Sequence, residues 1–355
     1  MAMFRRLTYV IGAVVGAIGI AMLPAAAVAA VSGDQTGALG ILAAAFVTVG
    51  VGWIAWRFVG QQGVLSAKEG FATVGLAWFV LSVFGALPYL FTRRIPSITK
   101  AFFETASGFT TTGATILTEP KLLGEGLLFW RGLTQWLGGM GVIVLSIAIL
   151  PLLGVGGVEL AKAESPGPMP DRLTPRFQET ARRLWLVYVA ITAVEIVLLW
   201  LGDMTLYEAI IHSLTTMSTG GFGTEADSLT GFSAYTQWVV VVFMFIAGAS
   251  FTLHFRALRD PSVYRRSREF VLYGLITIAA VVIVAGGRFP QGMSFEETMR
   301  ESAFNSISII TTTGFSTGDF GAWRPALQIF MVGLMFIGGM AGSTAGGVKI
   351  FRVGL

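Results

Sequence analysis

Apolar runs close to bilayer length recur along the whole 355-residue chain, and they restrict its fold more than any other feature. They lie near residues 7–31, 38–59, 71–91, 126–150, 183–201, 235–256, 269–286 and 324–338. A helix needs about 20 apolar residues to cross the hydrocarbon. The expected fold is therefore an all-α polytopic membrane protein. Only 12% of residues are charged, about half the roughly 25% of soluble domains, which leaves no room for a large soluble domain. The absence of cysteine excludes disulfides and thiolate metal sites. Arg5 and Arg6, followed by an apolar run ending in AAAVAA, imitate a signal peptide. That run is long for such a segment, so a retained first helix is expected.

Basic residues orient the chain. With the N-terminus inside and the spans alternating, the cytoplasmic side holds 16 of the 24 Lys and Arg, as the positive-inside rule requires. The outer side carries a net negative charge, which concentrates cations there. The formal charge of +4 thus reports orientation rather than nucleic-acid binding.

Three polar segments interrupt the apolar pattern: FETASGFTTTGATIL (103–117), HSLTTMSTGGFGT (212–224) and NSISIITTTGFST (305–317). Aligned on Gly113, Gly221 and Gly314, their hydroxyl-rich runs fall in register, and Glu104, His212 and Asn305 share one column. Small-residue clusters follow each glycine at similar spacing: Gly138-Gly139-Met140, Ala247-Gly248-Ala249 and Gly338-Gly339-Met340. Internal repeats of this kind decide the architecture. Each unit reads as span, short helix, Thr/Gly segment, span. Thr205 with Glu208 and Ser294 with Glu297 have capping-box spacing, and Ser97 is a cap without the box. The short helices cannot span, so they are expected to be re-entrant from the outer side.

Non-helical backbone at membrane depth is tolerated where it lines a water-filled path or is buried in protein. Glycine lets successive carbonyls face one axis, and converging carbonyls replace the hydration shell of an alkali cation. The carbonyls of Thr111, Thr112, Gly113, Thr219, Gly220, Gly221, Thr312, Thr313 and Gly314 are therefore the candidate cation ligands. Close helix packing by small residues is the competing reading of one such segment; three in register favour a filter.

GGMAGSTAGGVKIFR (338–352) allows two readings. Gly338, Gly342 and Gly346 form a GxxxGxxxG packing stripe. Alternatively Gly338, Gly339, Gly342, Ser343, Thr344, Gly346 and Gly347 interrupt the helix with a flexible loop. Glu195, in mid-span, is open to a structural hydrogen bond or a proton relay. His212 reads as a packing hydrogen bonder and His254 as an interfacial residue. The Pro-rich stretch 163–177 is a cytoplasmic link. The basic stretch 256–268 is a topology signal, with a docking surface as the alternative. No nucleophile–base or metal constellation suggests an enzyme.

TASGFTTTGAT, QWLGGMGVIVL, TTMSTGGFGT, TTTGFST and GGMAGSTAGGVK together resemble the Trk/Ktr/HKT superfamily of potassium transporters, most closely its TrkH-type members. The resemblance covers nearly the whole chain. It implies two leading helices (1–70), then helix–pore-loop–helix repeats at 71–165, 166–262 and 263–355, three of an expected four. It further implies potassium uptake through a filter with one glycine per repeat, an intramembrane gating loop at 338–347, a homodimer in the lipid bilayer of the cell inner membrane, and control by a cytosolic nucleotide-binding ring of the TrkA/KtrA kind. The potassium ion is then the cargo. The sequence shows no dinucleotide fingerprint of its own. The chain as given stops 41 residues past Gly314 without a fourth Thr/Gly segment. A truncated product or partial sequence is expected, with a non-conducting fragment or assembly subunit as the functional alternative and a proton-coupled carrier behind it.

Overall fold

The computed structural model describes residues 2–59, 67–149, 173–289 and 293–354. Most of the Pro-rich stretch 163–177 lies outside them. The described residues are helical apart from turns, loops and one isolated parallel bridge. Among the described residues, five helices are long and apolar enough to cross a membrane, and a sixth span arises if one bent pair is counted. The protein is thus a multi-pass helical membrane protein. Its chain divides into two compact units, residues 1–135 with 224–226, and residues 136–223 with 227–355.

In the first unit, the helix Ala2–Ala21 continues after a break at Met22 as Leu23–Val31 and packs along Gln35–Val59. Small residues permit the approach: a Cβ on Gly52 would lie 2.4 Å from the Gly16 nitrogen. Ala67–Gly85 and Leu87–Phe91 form the next span and pack on the first short helix, Ile98–Phe109. Trp130, near the start of the helix Glu125–Ile149, donates to the Gly85 carbonyl at 2.9 Å. Its ring meets Phe109 edge-on.

The second unit holds the helices Leu173–Trp200, Leu206–Met217 and Ala234–Ala247. The sequence suggested one straight span over 235–256. Instead the chain turns by 99° at Gly248–Ser250 before the helix Phe251–Ala257. Tyr273 and Thr311 crowd this bend, where a Cβ on Gly248 would lie 2.4 Å from the Tyr273 hydroxyl. Arg268–Arg288 and Phe295–Ile310 follow. The expected last span, 324–338, is also shorter than its apolar run: the helix Pro325–Leu334 ends after ten residues.

Candidate functional site

Each Thr/Gly segment hangs from a short helix that is capped at its start. Ser97 accepts from the Lys100 N–H. Thr205 and Glu208 form the full capping box, and Ser294 accepts from the Glu297 N–H at 3.2 Å. Their C-terminal ends share one backbone geometry. Thr111, Thr219 and Thr312 adopt φ of 54°, 51° and 57°, and the glycine two residues later adopts 78°, 74° and 85°. The N–H groups of Thr112, Gly220 and Thr313 reach back to the carbonyls of Ser107, Thr215 and Ser308 at 2.8–2.9 Å. This is a Schellman cap with threonine where glycine is usual. The sequence register is therefore also a conformational register.

These caps occupy the last helix carbonyls and turn the following ones away. Among the described residues, the carbonyls of Thr111, Thr112, Gly113, Thr219, Gly221, Thr312, Thr313 and Gly314 accept none of the backbone bonds that hold the segments. Carbonyls free of backbone bonds have ligand capacity; Thr219 and Thr313 are buried residues, whereas Thr112 and Gly314 are exposed. In the second unit two segments come very close. A Cβ on Gly221 would lie 1.9 Å from the Thr313 carbonyl oxygen, whereas one on Gly314 meets open space. Hydroxyl pairs stiffen the turns, Thr110 with Thr112 at 2.7 Å and Thr311 with Thr313 at 2.8 Å.

The column Glu104, His212 and Asn305 supports the segments from behind. Glu104 accepts from the Thr115 hydroxyl at 2.8 Å and the Ile116 N–H at 3.1 Å, beyond Gly113. It also meets Arg131 at 2.6 Å, and both side chains are almost completely buried. Asn305 donates to the Thr317 hydroxyl at 3.2 Å. His212 is buried against the rings of Phe232 and Phe315. Sequence reasoning did not single out Arg131. Its signal was an arginine inside a predicted span, seven residues before the Gly138-Gly139 pair.

His254 is buried within the protein and hydrogen-bonded to the Tyr264 hydroxyl at 2.8 Å and the Ile246 carbonyl at 2.9 Å. Glu195 lies near the second Thr/Gly segment. It is fully buried on Leu173–Trp200 and faces Thr216, five residues before Gly221. The Thr216 hydroxyl donates instead to the His212 carbonyl at 2.7 Å.

Past Leu334 the chain forms an irregular loop to Lys349, closed by the parallel bridge between Ile337 and Val348. Gly338, Gly342 and Gly346 consequently do not form a helical stripe. Positive φ at Gly342 (76°) and Gly347 (69°) explains two of the glycines. Gly338 is needed for close approach, since its Cβ would lie 1.9 Å from the Gly346 carbonyl oxygen. The loop is docked by named bonds. The Met340 N–H donates to the Gly248 carbonyl at 2.9 Å, and the Phe251 N–H to the Gly342 carbonyl at 3.1 Å. Thr344 donates to the Met217 carbonyl at 3.1 Å, and the Gly346 N–H to the Thr312 hydroxyl at 2.7 Å. The loop thus touches the bend and the bases of two Thr/Gly segments.

A family model described as TrkH, cation transport protein, matches residues 41–273 and 271–354. The Trk system potassium uptake protein TrkH of Salmonella typhimurium is 38% identical over 361 residues, which is 99% of this chain and 74% of that protein. The Escherichia coli K12 protein TrkG is 32% identical over 98% of this chain and 73% of its own length. The crystal structure of the potassium transporter TrkH from Vibrio parahaemolyticus superposes with a TM-score of 0.89 at 35% identity, covering 99% of this chain and 73% of that one. Sequence, fold and repeated geometry agree: the chain belongs to the TrkH family of cation transporters and is not an enzyme.

Proposed function

We propose that the protein takes up potassium across the cell inner membrane through a filter of backbone carbonyls. The ligands in this reading are Thr111, Thr112, Gly113, Thr219, Gly220, Gly221, Thr312, Thr313 and Gly314. One observation carries it: the same left-handed threonine and positive-φ glycine recur in all three segments. Carbonyls turned away from helical bonding suit a dehydrated monovalent cation. The repeats at 71–165, 166–262 and 263–355 each supply one segment. The loop 338–347 acts as the gate, because it is docked directly on the second and third segments. A homodimer under the control of a cytosolic nucleotide-binding ring of the TrkA/KtrA kind completes the reading and rests on the family alone.

Gly113→Ser tests the filter. A side chain at φ of 78° is strained, so discrimination against sodium should fall. Potassium and sodium tracer fluxes into liposomes measure the ratio, and an unchanged ratio would defeat the filter. The burial of Glu195 keeps proton coupling as a second reading. Glu195→Gln decides it: loss of pH-dependent uptake would establish coupling. The expected outcome is retained pH dependence. Among the described residues the other buried acid, Glu104, is committed to Arg131.

A further inference from the structure

The loop 338–349 is held by backbone bonds to the bend, by the hydroxyls of Thr312 and Thr344, and by the carboxylate of Glu269. The Glu269 Oε1 accepts from the Ala341 N–H at 2.7 Å across 72 residues of sequence. Glu269 stands in the first turn of the helix Arg268–Arg288, directly after the basic stretch 256–268. The Lys349 ammonium lies within electrostatic reach of it and also donates to the Ala345 carbonyl. One acidic side chain therefore holds the loop at Ala341 and acts electrostatically on its last residue, Lys349.

We propose that Glu269 is a latch: it positions the loop against the bend and couples the loop to movements of the cytoplasmic stretch 256–268. The proposal rests on the gating reading of 338–347 but makes its own statement about what holds that loop. The geometry is direct. Ser267 caps the helix by accepting from the Phe270 N–H at 3.2 Å, so Ser267 and Glu269 move with the helix start. Asp260 braces the preceding turn through the Ser262 N–H at 3.0 Å and Arg266 at 3.2 Å. A pull on this braced hairpin reaches Glu269 two residues beyond Ser267. The Ala341 site is exposed, so water replaces the carboxylate once it leaves. The latch is therefore releasable, unlike the buried Thr344 bonds.

The chain contains no cysteine, which gives a clean reporter. Ser343→Cys places a thiol in the buried centre of the loop. Its rate of modification by a water-soluble thiol reagent is measured with Glu269 intact, with Glu269→Ala and with Glu269→Gln, in reconstituted protein. Charged hydrogen bonds are stronger than neutral ones, and a tenfold change corresponds to about 1.4 kcal/mol. Glu269→Ala should raise the rate about tenfold. Glu269→Gln keeps an acceptor and should raise it less. A control thiol from Ala280→Cys, buried in the same helix, should keep its rate. An unchanged loop rate, or a rise at both positions, overturns the latch. Potassium tracer flux is measured on the same samples. A faster loop reaction with raised basal flux supports latch and gate together. A faster loop reaction with unaltered flux supports the latch and defeats the gate.

Discussion

Thr111, Thr219 and Thr312 carry β-branched side chains in the left-handed region, where such residues are true outliers. Each costs of order 1–3 kcal/mol and persists only because neighbouring bonds over-determine it. The glycines beyond them are not equivalent. Gly314→Ala meets open space and should cost about 1–2 kcal/mol from its dihedral alone. Gly221→Ala adds a collision with the Thr313 carbonyl and should be clearly worse. Thermal unfolding of the two variants in detergent checks the order, and equal losses would contradict it. The pair Glu104–Arg131 behaves as a unit. Replacing Arg131 by Met strands a buried carboxylate and should cost about 3–5 kcal/mol. Adding Glu104→Gln should recover part of that loss, because the stranded charge disappears. A double-mutant cycle of unfolding midpoints measures the recovery, and strict additivity would refute the coupling.

At the scale of elements, the loop after Leu334 exists because a span stops early. Leu334 ends the helix, and the glycines that follow weaken any continuation by about 1 kcal/mol each. If the loop is a steric barrier, deleting residues 343–345 should raise basal potassium flux and weaken control by the proposed cytosolic ring. If it only packs, folded yield should fall while the surviving protein is regulated normally. Tracer flux per folded protein, with and without the proposed regulator, separates the two. A second element depends on pH. Asp203 accepts from the Ser233 N–H at 2.8 Å and from the hydroxyls of Ser233 and Thr236 at 2.6 and 2.5 Å, at the start of Ala234–Ala247. Partial burial opposes its charge, but these hydrogen bonds outweigh it and hold the carboxyl below the usual range. A depressed folded value stabilises the protein above the unfolded value, near 3.9. That stabilisation is lost as pH falls through the folded value. Asp203→Asn should thus lower the melting temperature at pH 7 and make little difference in strong acid.

For the whole molecule, the apolar periodicity, the basic asymmetry and the repeated Thr/Gly segments were legible in the residues alone, as was the family through its motifs. Hydropathy reports where a helix can be buried in lipid. That is a property of composition over about 20 residues, so spans and register could be read locally. Caps are equally local, which is why Ser97, Thr205 and Ser294 could be named from spacing. The 99° bend at Gly248–Ser250 and the early stop at Leu334 could not, because the apolar run continues through both. Their cause is contact between distant segments. Tyr273 and Thr311 occupy the space beside Gly248, and Met340 and Phe251 exchange backbone bonds with the bend and the loop. The hydrogen-bond partners of Glu104 and Glu269 likewise lie 11 to 72 residues away. Sequence determined which segments are apolar enough to enter the membrane and which share one repeated register. Tertiary structure decided which helices break and which carboxylates hold the loops, because those choices depend on side chains that meet only after the helices have packed.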